Sequence, residues 1–358
     1  MPHEAQERYS SLVLAKMRSE NILKDGIIFN NDYEGDPVAG AVKVPVRDGE
    51  VKVGDYDRSA GGDLSESSTE YRSILINREK YVNELVDGYD AVSVPDNLIA
   101  DRLDSAGYSM ATALDRDGAS TLISQGTRVN TSSISASTVY SDVVDIRTLM
   151  SKANVPNDGR RYLLVTPDIY AAMLKSPLFV QASALGDEVK QSGAVGKIAG
   201  FTVYEWNDDT ANLAMIAGHP RYATRINAWK VPISVNDLKD SKHIGSSAVQ
   251  GRSVYGHEVL RKSAIYAVFS AGSLTLTQGA FASDKCKVTV AESATDAFVY
   301  RVNPAKRAAL EEDFTAIATT NAFTSNSTQI SCKKGDIIEI IDLDSNKKCV
   351  KVGYVTVA

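Results

Sequence analysis

From residue 41 the chain alternates apolar and polar positions: Ala41-Val42-Lys43-Val44-Pro45-Val46, then Val51-Lys52-Val53 after an Asp48-Gly49 turn. Residues two apart share a face of a strand, so this alternation predicts extended structure around a tight turn. A polar stretch from Ser59 to Ser68, rich in Gly and Ser, follows, and Tyr71 to Val86 returns as a second extended run containing Ile74-Leu75-Ile76. Two strands joined by such a tip make a long hairpin with little apolar content at its far end. Isolated two-stranded hairpins are marginal in water, so this one is expected to find no cover in its own subunit and to need a partner chain. Ahead of it, residues 1–40 are weakly amphipathic and end in the turn-rich Asn30-Asn31-Asp32-Tyr33-Glu34-Gly35-Asp36-Pro37. That composition predicts an arm without a core of its own.

The period then changes. After Pro95-Asp96, apolar residues Ile99, Leu103, Ala106, Met110 and Leu114 recur every three or four positions. Asp101, Arg102, Asp104 and Asp115 lie mostly off that stripe. This is one amphipathic helix, continued through Leu122-Ile123 to about 25–28 residues, or roughly 40 Å at 1.5 Å per residue. A Ser/Thr-rich loop covers 124–138, and a second helix runs from Val139 to Ala153 and ends at Asn154-Val155-Pro156. Tyr162 to Val165 reads as a buried strand, and Thr166-Pro167-Asp168 caps a short helix through Leu174. Gly193 to Gly200 leads into a strand at Phe201 to Glu205, and a long strand is expected over 252–270. To about residue 274 the pattern is α+β. Beyond it, short alternating strands at 285–290, 297–302, 336–341 and 349–357, with one helical insert over about 304–313, predict a separate and mostly β domain over 275–358.

Composition narrows the function by exclusion. The net charge is −6, and because acidic and basic residues balance within 275–358, the whole excess lies in the first 274 residues. A protein that reads nucleic-acid sequence normally carries a basic face, because phosphate neutralisation supplies most of its affinity. No stretch approaches the ~20 apolar residues of a membrane helix, so no membrane partner is expected. Leu12-Val13-Leu14-Ala15 is too short for a signal peptide, follows acidic residues and precedes Lys16 and Arg18, which predicts a cytosolic product. Cys286, Cys332 and Cys349 are odd in number and lack CxxC spacing. They read as free thiols rather than a zinc site or a secreted disulfide framework, with a Cys–Cys bridge inside that segment as the alternative.

Candidate chemistry is sparse. Gly196-Lys197 suggests a phosphate loop, but Gln191 stands where its first glycine belongs, Ile198 follows the lysine, and a strand follows instead of a helix. His3, His219, His243 and His257 form no ligand repeat, and His257 and Glu258, as neighbours in a strand, point to opposite faces. No Gly-x-Ser-x-Gly elbow occurs. Asp342-Leu343-Asp344-Ser345-Asn346 lacks the glycine and distal glutamate of a calcium loop and reads as a polar turn. No catalytic, cofactor-binding or metal-binding residues are therefore assigned, and no cofactor is expected.

Four motifs carry a resemblance: Val86-Asp87-Gly88-Tyr89-Asp90-Ala91; Ala100-Asp101-Arg102-Leu103-Asp104-Ser105-Ala106; Ala153-Asn154-Val155-Pro156 with Gly159-Arg160; and Gly193-Ala194-Val195-Gly196-Lys197-Ile198-Ala199-Gly200-Phe201-Thr202-Val203-Tyr204. Together they resemble the major capsid proteins of tailed bacteriophages with the Hong Kong 97 fold. The resemblance implies an N-terminal arm (1–40), an extended hairpin or E-loop (41–90), a peripheral domain with a long spine helix (91–138 and 231–274), an axial domain (139–230), and an added decoration-like β domain (275–358). It implies self-assembly into pentamers and hexamers of an icosahedral head around double-stranded DNA, which the inner face would meet without sequence specificity. The implied partners are other copies, a scaffolding protein and a portal; the implied location is the virion, after assembly from the host cytoplasm. Many relatives begin with a helical scaffolding segment; none precedes this arm, which implies separate scaffolding or prior trimming.

Assembly contacts are expected at the hairpin tip (Ser59, Gly61, Gly62, Asp63, Glu66, Glu70), in the arm (21–31) and in the axial loop (Gly193, Gly196, Lys197). An encapsulin-type nanocompartment shell is the alternative within the same fold. A surface-binding protein using the C-terminal β domain for recognition, which would need a secretion signal, is the alternative of another class. A hydrolase or transferase would need a convergent acid, base and nucleophile.

Overall fold

Four chain segments build two units. The first joins Met1–Gln125 to Pro220–Arg261, and the second joins Gly126–His219 to Lys262–Ala358. The computed structural model describes residues 21–33, 40–46, 53–56, 58–59, 69–93, 98–176, 196–239 and 242–358.

In the first unit the alternating residues become strands. Ala41–Val46 pairs antiparallel with Glu70–Leu75, placing Val42 opposite Ile74 and Val44 opposite Arg72. Val44 and Ile74 are buried with Ile226 and Leu260, and Tyr33, Val42 and Ile76 pack against them. The expectation that the hairpin finds no cover in its own subunit is thus corrected for its base. Its inner side is sealed, while Tyr71 and Leu75 on the other side remain exposed. The return run is also two strands rather than one. It breaks at Ile76-Asn77, and Arg78–Val86 joins a different sheet.

That sheet is antiparallel and three-stranded, with Ser247–Val259 between Arg78–Val86 and Ala223–Asp237. One of its faces packs on the predicted long helix, Leu98–Gln125. Ile99, Leu103 and Ala106 of the expected stripe meet Val82, Val86 and Val249. Further along, the deeply buried positions are Asp115, Gly118, Ala119, Thr121 and Leu122. Asp115, expected off the apolar stripe, lies in the interior because the N-terminal segment covers it: its carboxylate accepts the Leu23 amide at 3.3 Å. Gly118 is required there, since a Cβ would stand 2.9 Å from the Phe29 ring.

The second unit carries a mixed six-stranded sheet in the order 127–131, 266–270, 213–218, 162–165, 201–205, 197–198. Tyr162–Val165 and Leu213–Gly218 are buried along their whole length, as unbroken apolar runs require. Helices Val139–Lys152 and Pro167–Lys175 stand where the periodicity placed them. The single strand expected over 252–270 is instead two. Ser247–Val259 ends before a 3-10 turn at Lys262–Ala264, and Tyr266–Ser270 enters the six-stranded sheet.

From Gly272 onward two further sheets, of five and three strands, enclose a core of Val288, Val290, Phe298, Phe323, Ile330, Ile338 and Ile340 with Cys286 and Cys332. The helix expected over 304–313 does not form. Asn303 and Glu311 hold positive φ, and several backbone donors of this stretch bond distant partners instead of the preceding turn. Ala308 N–H donates to Glu339 at 2.7 Å and Glu311 N–H to the Cys349 carbonyl at 2.8 Å. Tertiary partners override the helix propensity of Ala-Lys-Arg-Ala-Ala-Leu.

Glu339 is fully buried and its charge is met by Arg301. Arg301→Met is expected to cost about 3–5 kcal/mol, because it strands a buried carboxylate. Glu339→Leu in the same chain removes the stranded charge but also the acceptor of the buried Ala308 amide, so it should recover only part of that loss. Thermal unfolding of the single and double variants checks both statements.

Candidate assembly surface

Of the residues expected to make assembly contacts, Ser59 and Glu70 lie in the first unit, and Gly196 and Lys197 in the second, all four exposed, whereas the arm segment 21–31 packs on its own unit with Leu23, Ile28 and Phe29 fully buried. Gly61, Gly62, Asp63, Glu66 and Gly193 lie outside the described residues. Glu70 opens its strand opposite Val46. Gly196 takes φ +62, and its carbonyl accepts the Val203 amide at 3.0 Å. Lys197-Ile198 then pairs with Phe201-Thr202 across Ala199-Gly200, both at positive φ, a two-residue hairpin of the type that matches strand twist. This hairpin buries Ile198 and Phe201 and holds Lys197 outward.

The free face of the three-stranded sheet is the larger feature, and sequence reading missed it. Tyr81 (74 % exposed), Leu85 (51 %), Trp229 (43 %) and Val231 stand on it. Arg252, between the two outer strands, lies opposite both Tyr81 and Val231, pairs with Glu79, and holds its guanidinium 5.3 Å from the Trp229 ring centre. Beside it an amide ladder crosses all three strands. Asn236 Nδ2 donates to Gln250 Oε1 at 3.0 Å, and Gln250 Nε2 donates to Asn83 Oδ1 at 3.2 Å. Large apolar side chains beside polar neighbours make this face a candidate contact surface. The available signal was the mixed character of both faces of Arg78–Val86: Tyr81 and Leu85 alternate with Val82 and Val86, so alternation alone does not say which face is inside.

Of the other groups singled out in the sequence, His219, the cysteines, Asp342 and Asp344 lie among the described residues, and His3 lies outside them. His219 is buried, with Nε2 3.0 Å from Asp158 Oδ1, and this contact together with the Arg160 amide holds the Asp158 carboxyl below its ordinary value. Cys286, Cys332 and Cys349 are buried free thiols; burial pushes Cys286 and Cys349 up to about 12. Asp342 accepts from the Thr295 backbone and hydroxyl, at 2.7 and 2.8 Å, but Asp342 and Leu343 are buried in the strand Ile337–Leu343, so the polar turn expected over 342–346 begins only at Asp344, which accepts from the amides of Asn346 and Lys348. Among the described residues no three His, Cys, Asp or Glu side chains group as a metal site.

The model of the phage capsid protein family matches residues 88–268. The chain belongs to that family and is a structural component of a bacteriophage virion. It is similar in structure to a chain titled Mycobacterium phage Che8, at 22 % identity and a TM-score of 0.63, over 74 % of this chain and 96 % of that one. It is also similar to the capsid structure of the Cyanophage P-SCSP1u, at 14 % identity and a TM-score of 0.61, over 74 % and 93 % of the two chains. The capsid of an empty GTA particle is similar at 14 % identity and a TM-score of 0.55, over 75 % and 96 %. At these identities the likeness carries the mixed α/β capsid fold. A search of curated proteins finds no match to the chain.

Proposed function

We propose that copies of this chain assemble into pentamers and hexamers and close an icosahedral head around double-stranded DNA. The observation that carries this reading is the open sheet face of the first unit, with Tyr81, Leu85, Trp229 and Val231 left in water by the lone chain. Burying apolar surface gains about 25 cal/mol per Å², and a closed shell repeats each modest contact many times. Family membership supports the same role. In this reading residues 1–40 are the arm, 41–90 the hairpin reaching a neighbouring copy, 91–138 and 231–274 the peripheral domain with its spine helix, and 139–230 the axial domain. Ser59, Gly61, Gly62, Asp63, Glu66, Glu70, Gly193, Gly196 and Lys197 are the proposed contacts outside the sheet face. Residues 275–358, beyond the family match, are an accessory module.

The net charge of −6 fits a wall that contains DNA without reading it. A scaffolding protein and a portal are the proposed assembly partners, and the host cytoplasm the place of assembly. Joint replacement of Tyr81 and Trp229 by serine tests the reading. Sedimentation of wild-type protein with its scaffolding partner should give particles far larger than the 38.6 kDa chain. The double variant should stay as small species, with an unfolding temperature within a few degrees of wild type, because both side chains lie on the surface. Wild-type assembly by the double variant would contradict the role given to this face.

A further inference from the structure

One buried guanidinium pins the N-terminal segment 21–30 to the first unit. Arg225, on the strand Ala223–Asp237, donates Nη2 to the Leu23 carbonyl at 2.8 Å and Nη1 to Asp25 Oδ1 at 3.1 Å. Its Nε donates to His257 Nε2 at 2.9 Å. Backbone bonds join the same segment to the strand, Asn30 N–H to the Ala223 carbonyl at 2.8 Å and Arg225 N–H to the Asn30 carbonyl at 3.0 Å. Leu23, Ile28 and Phe29 are fully buried.

An arginine Nε has only a proton to offer, so His257 Nε2 must present its lone pair and the imidazole proton must sit on Nδ1. Nδ1 is buried without a hydrogen-bond partner among the described residues. A proton arriving at Nε2 removes the acceptor and sets a second cation against Arg225. We propose that His257 is a proton-sensitive latch for the N-terminal segment: protonation of Nε2 breaks its bond to Arg225 and frees residues 22–30 from the unit. This inference stands apart from the shell reading.

Every element around the latch contributes charge. The segment supplies Lys24 and Asp25, the long helix Asp115 and Asp117, the strand of His257 Tyr255, and the strand Arg78–Val86 Arg78 and Lys80. Glu258 turns away to Gln125. Burial first, then Arg225 and Arg78, push His257 down to about 3. In the released state it titrates near its ordinary value of about 6.5. The closed state therefore binds fewer protons than the released one between those values. Its hold is complete above about pH 6.5 and weakens about tenfold per unit as the pH falls toward 3. Asp115, pushed up by burial, works in the opposite direction.

His257→Gln isolates the latch, because a glutamine carbonyl accepts from Arg225 without titrating and leaves Asp115 in place. Hydrogen exchange of the full chain between pH 7.5 and 5, corrected for the intrinsic exchange rate, is the measurement. Protection of amides 22–30 should fall about tenfold per unit below pH 6.5 in wild type relative to the variant. Exchange of the His257 imidazole carbon-bound proton in wild type gives a second readout that needs no variant, and its midpoint should lie far below 6.5. Equal pH dependence in the two proteins, or an imidazole midpoint between 6 and 7, would overturn the proposal.

Discussion

Replacing Gly256 with alanine is expected to unseat the hairpin from the first unit. A Cβ at this position would lie 2.2 Å from the Leu75 carbonyl oxygen and 3.1 Å from its carbon. Both atoms are backbone, so no side chain can rotate away. Either strand Ser247–Val259 or the return strand of the hairpin must move, and Ile74 beside Leu75 is one of four residues in the small core that seals the hairpin base. Overpacking of this kind costs about 1–3 kcal/mol where the surroundings can give, and more where they cannot. Ile74, Val44, Ile226 and Leu260 would lose their mutual contacts together. Denaturant unfolding should show a loss at or above the top of that range, with hydrogen-exchange protection of strand Glu70–Leu75 falling most. Unchanged stability would mean that the approach of the two backbones is not a fixed feature of the fold.

The second large effect concerns residues 275–358. Ending the chain at Leu274 is expected to leave the second unit unable to fold as a soluble body. This module does not hang from a linker. Gly272-Ser273 pairs parallel with Lys351-Val352, and the Thr131 carbonyl at the edge of the six-stranded sheet accepts the Leu310 amide at 3.0 Å. Ser132 and Tyr354 share a hydroxyl bond of 2.6 Å, and Arg128 reaches Glu311 at 2.9 Å. Arg307 meets Asp142, a carboxyl only 5 % exposed and already pushed up by burial. Stranding Asp142 alone costs about 3–5 kcal/mol, a large share of the 5–15 kcal/mol by which domains are stable. The truncated protein should precipitate or unfold without a cooperative transition. A soluble product with native exchange protection in 127–131 and 266–270 would show the module to be dispensable.

The features that sequence made legible are those with a clean period. Val42, Val44 and Ile74 alternate and are on the inner side of the hairpin; Ile99, Leu103 and Ala106 recur at helical spacing and lie on the sheet; Tyr162–Val165 is an unbroken apolar run and is buried on both faces. Where partners distant in sequence decide, the local pattern misleads. Residues 304–313 have helix-forming composition, but Glu339 and the Cys349 carbonyl capture their amides. Asp115 looks like a solvent residue until a segment 92 positions earlier closes over it. Arg225 and His257 give no sequence signal at all, because their meaning comes from facing each other across two paired strands. Tyr81, Leu85 and Trp229 escaped notice for a related reason: both faces of their sheet are mixed, and only the position of the long helix says which is free. Ser59, Glu70, Gly196 and Lys197, expected from the sequence to be assembly contacts, are exposed in the lone chain.

Direct imaging tests the central claim, that this chain is built to be completed by its own copies. Electron microscopy of particles formed by the wild-type protein with its scaffolding partner should resolve five-fold and six-fold capsomers, with the sheet face around Tyr81 and Trp229 covered by a neighbouring copy. A monodisperse single chain under those conditions, or particles in which that face stays open to solvent, would contradict it.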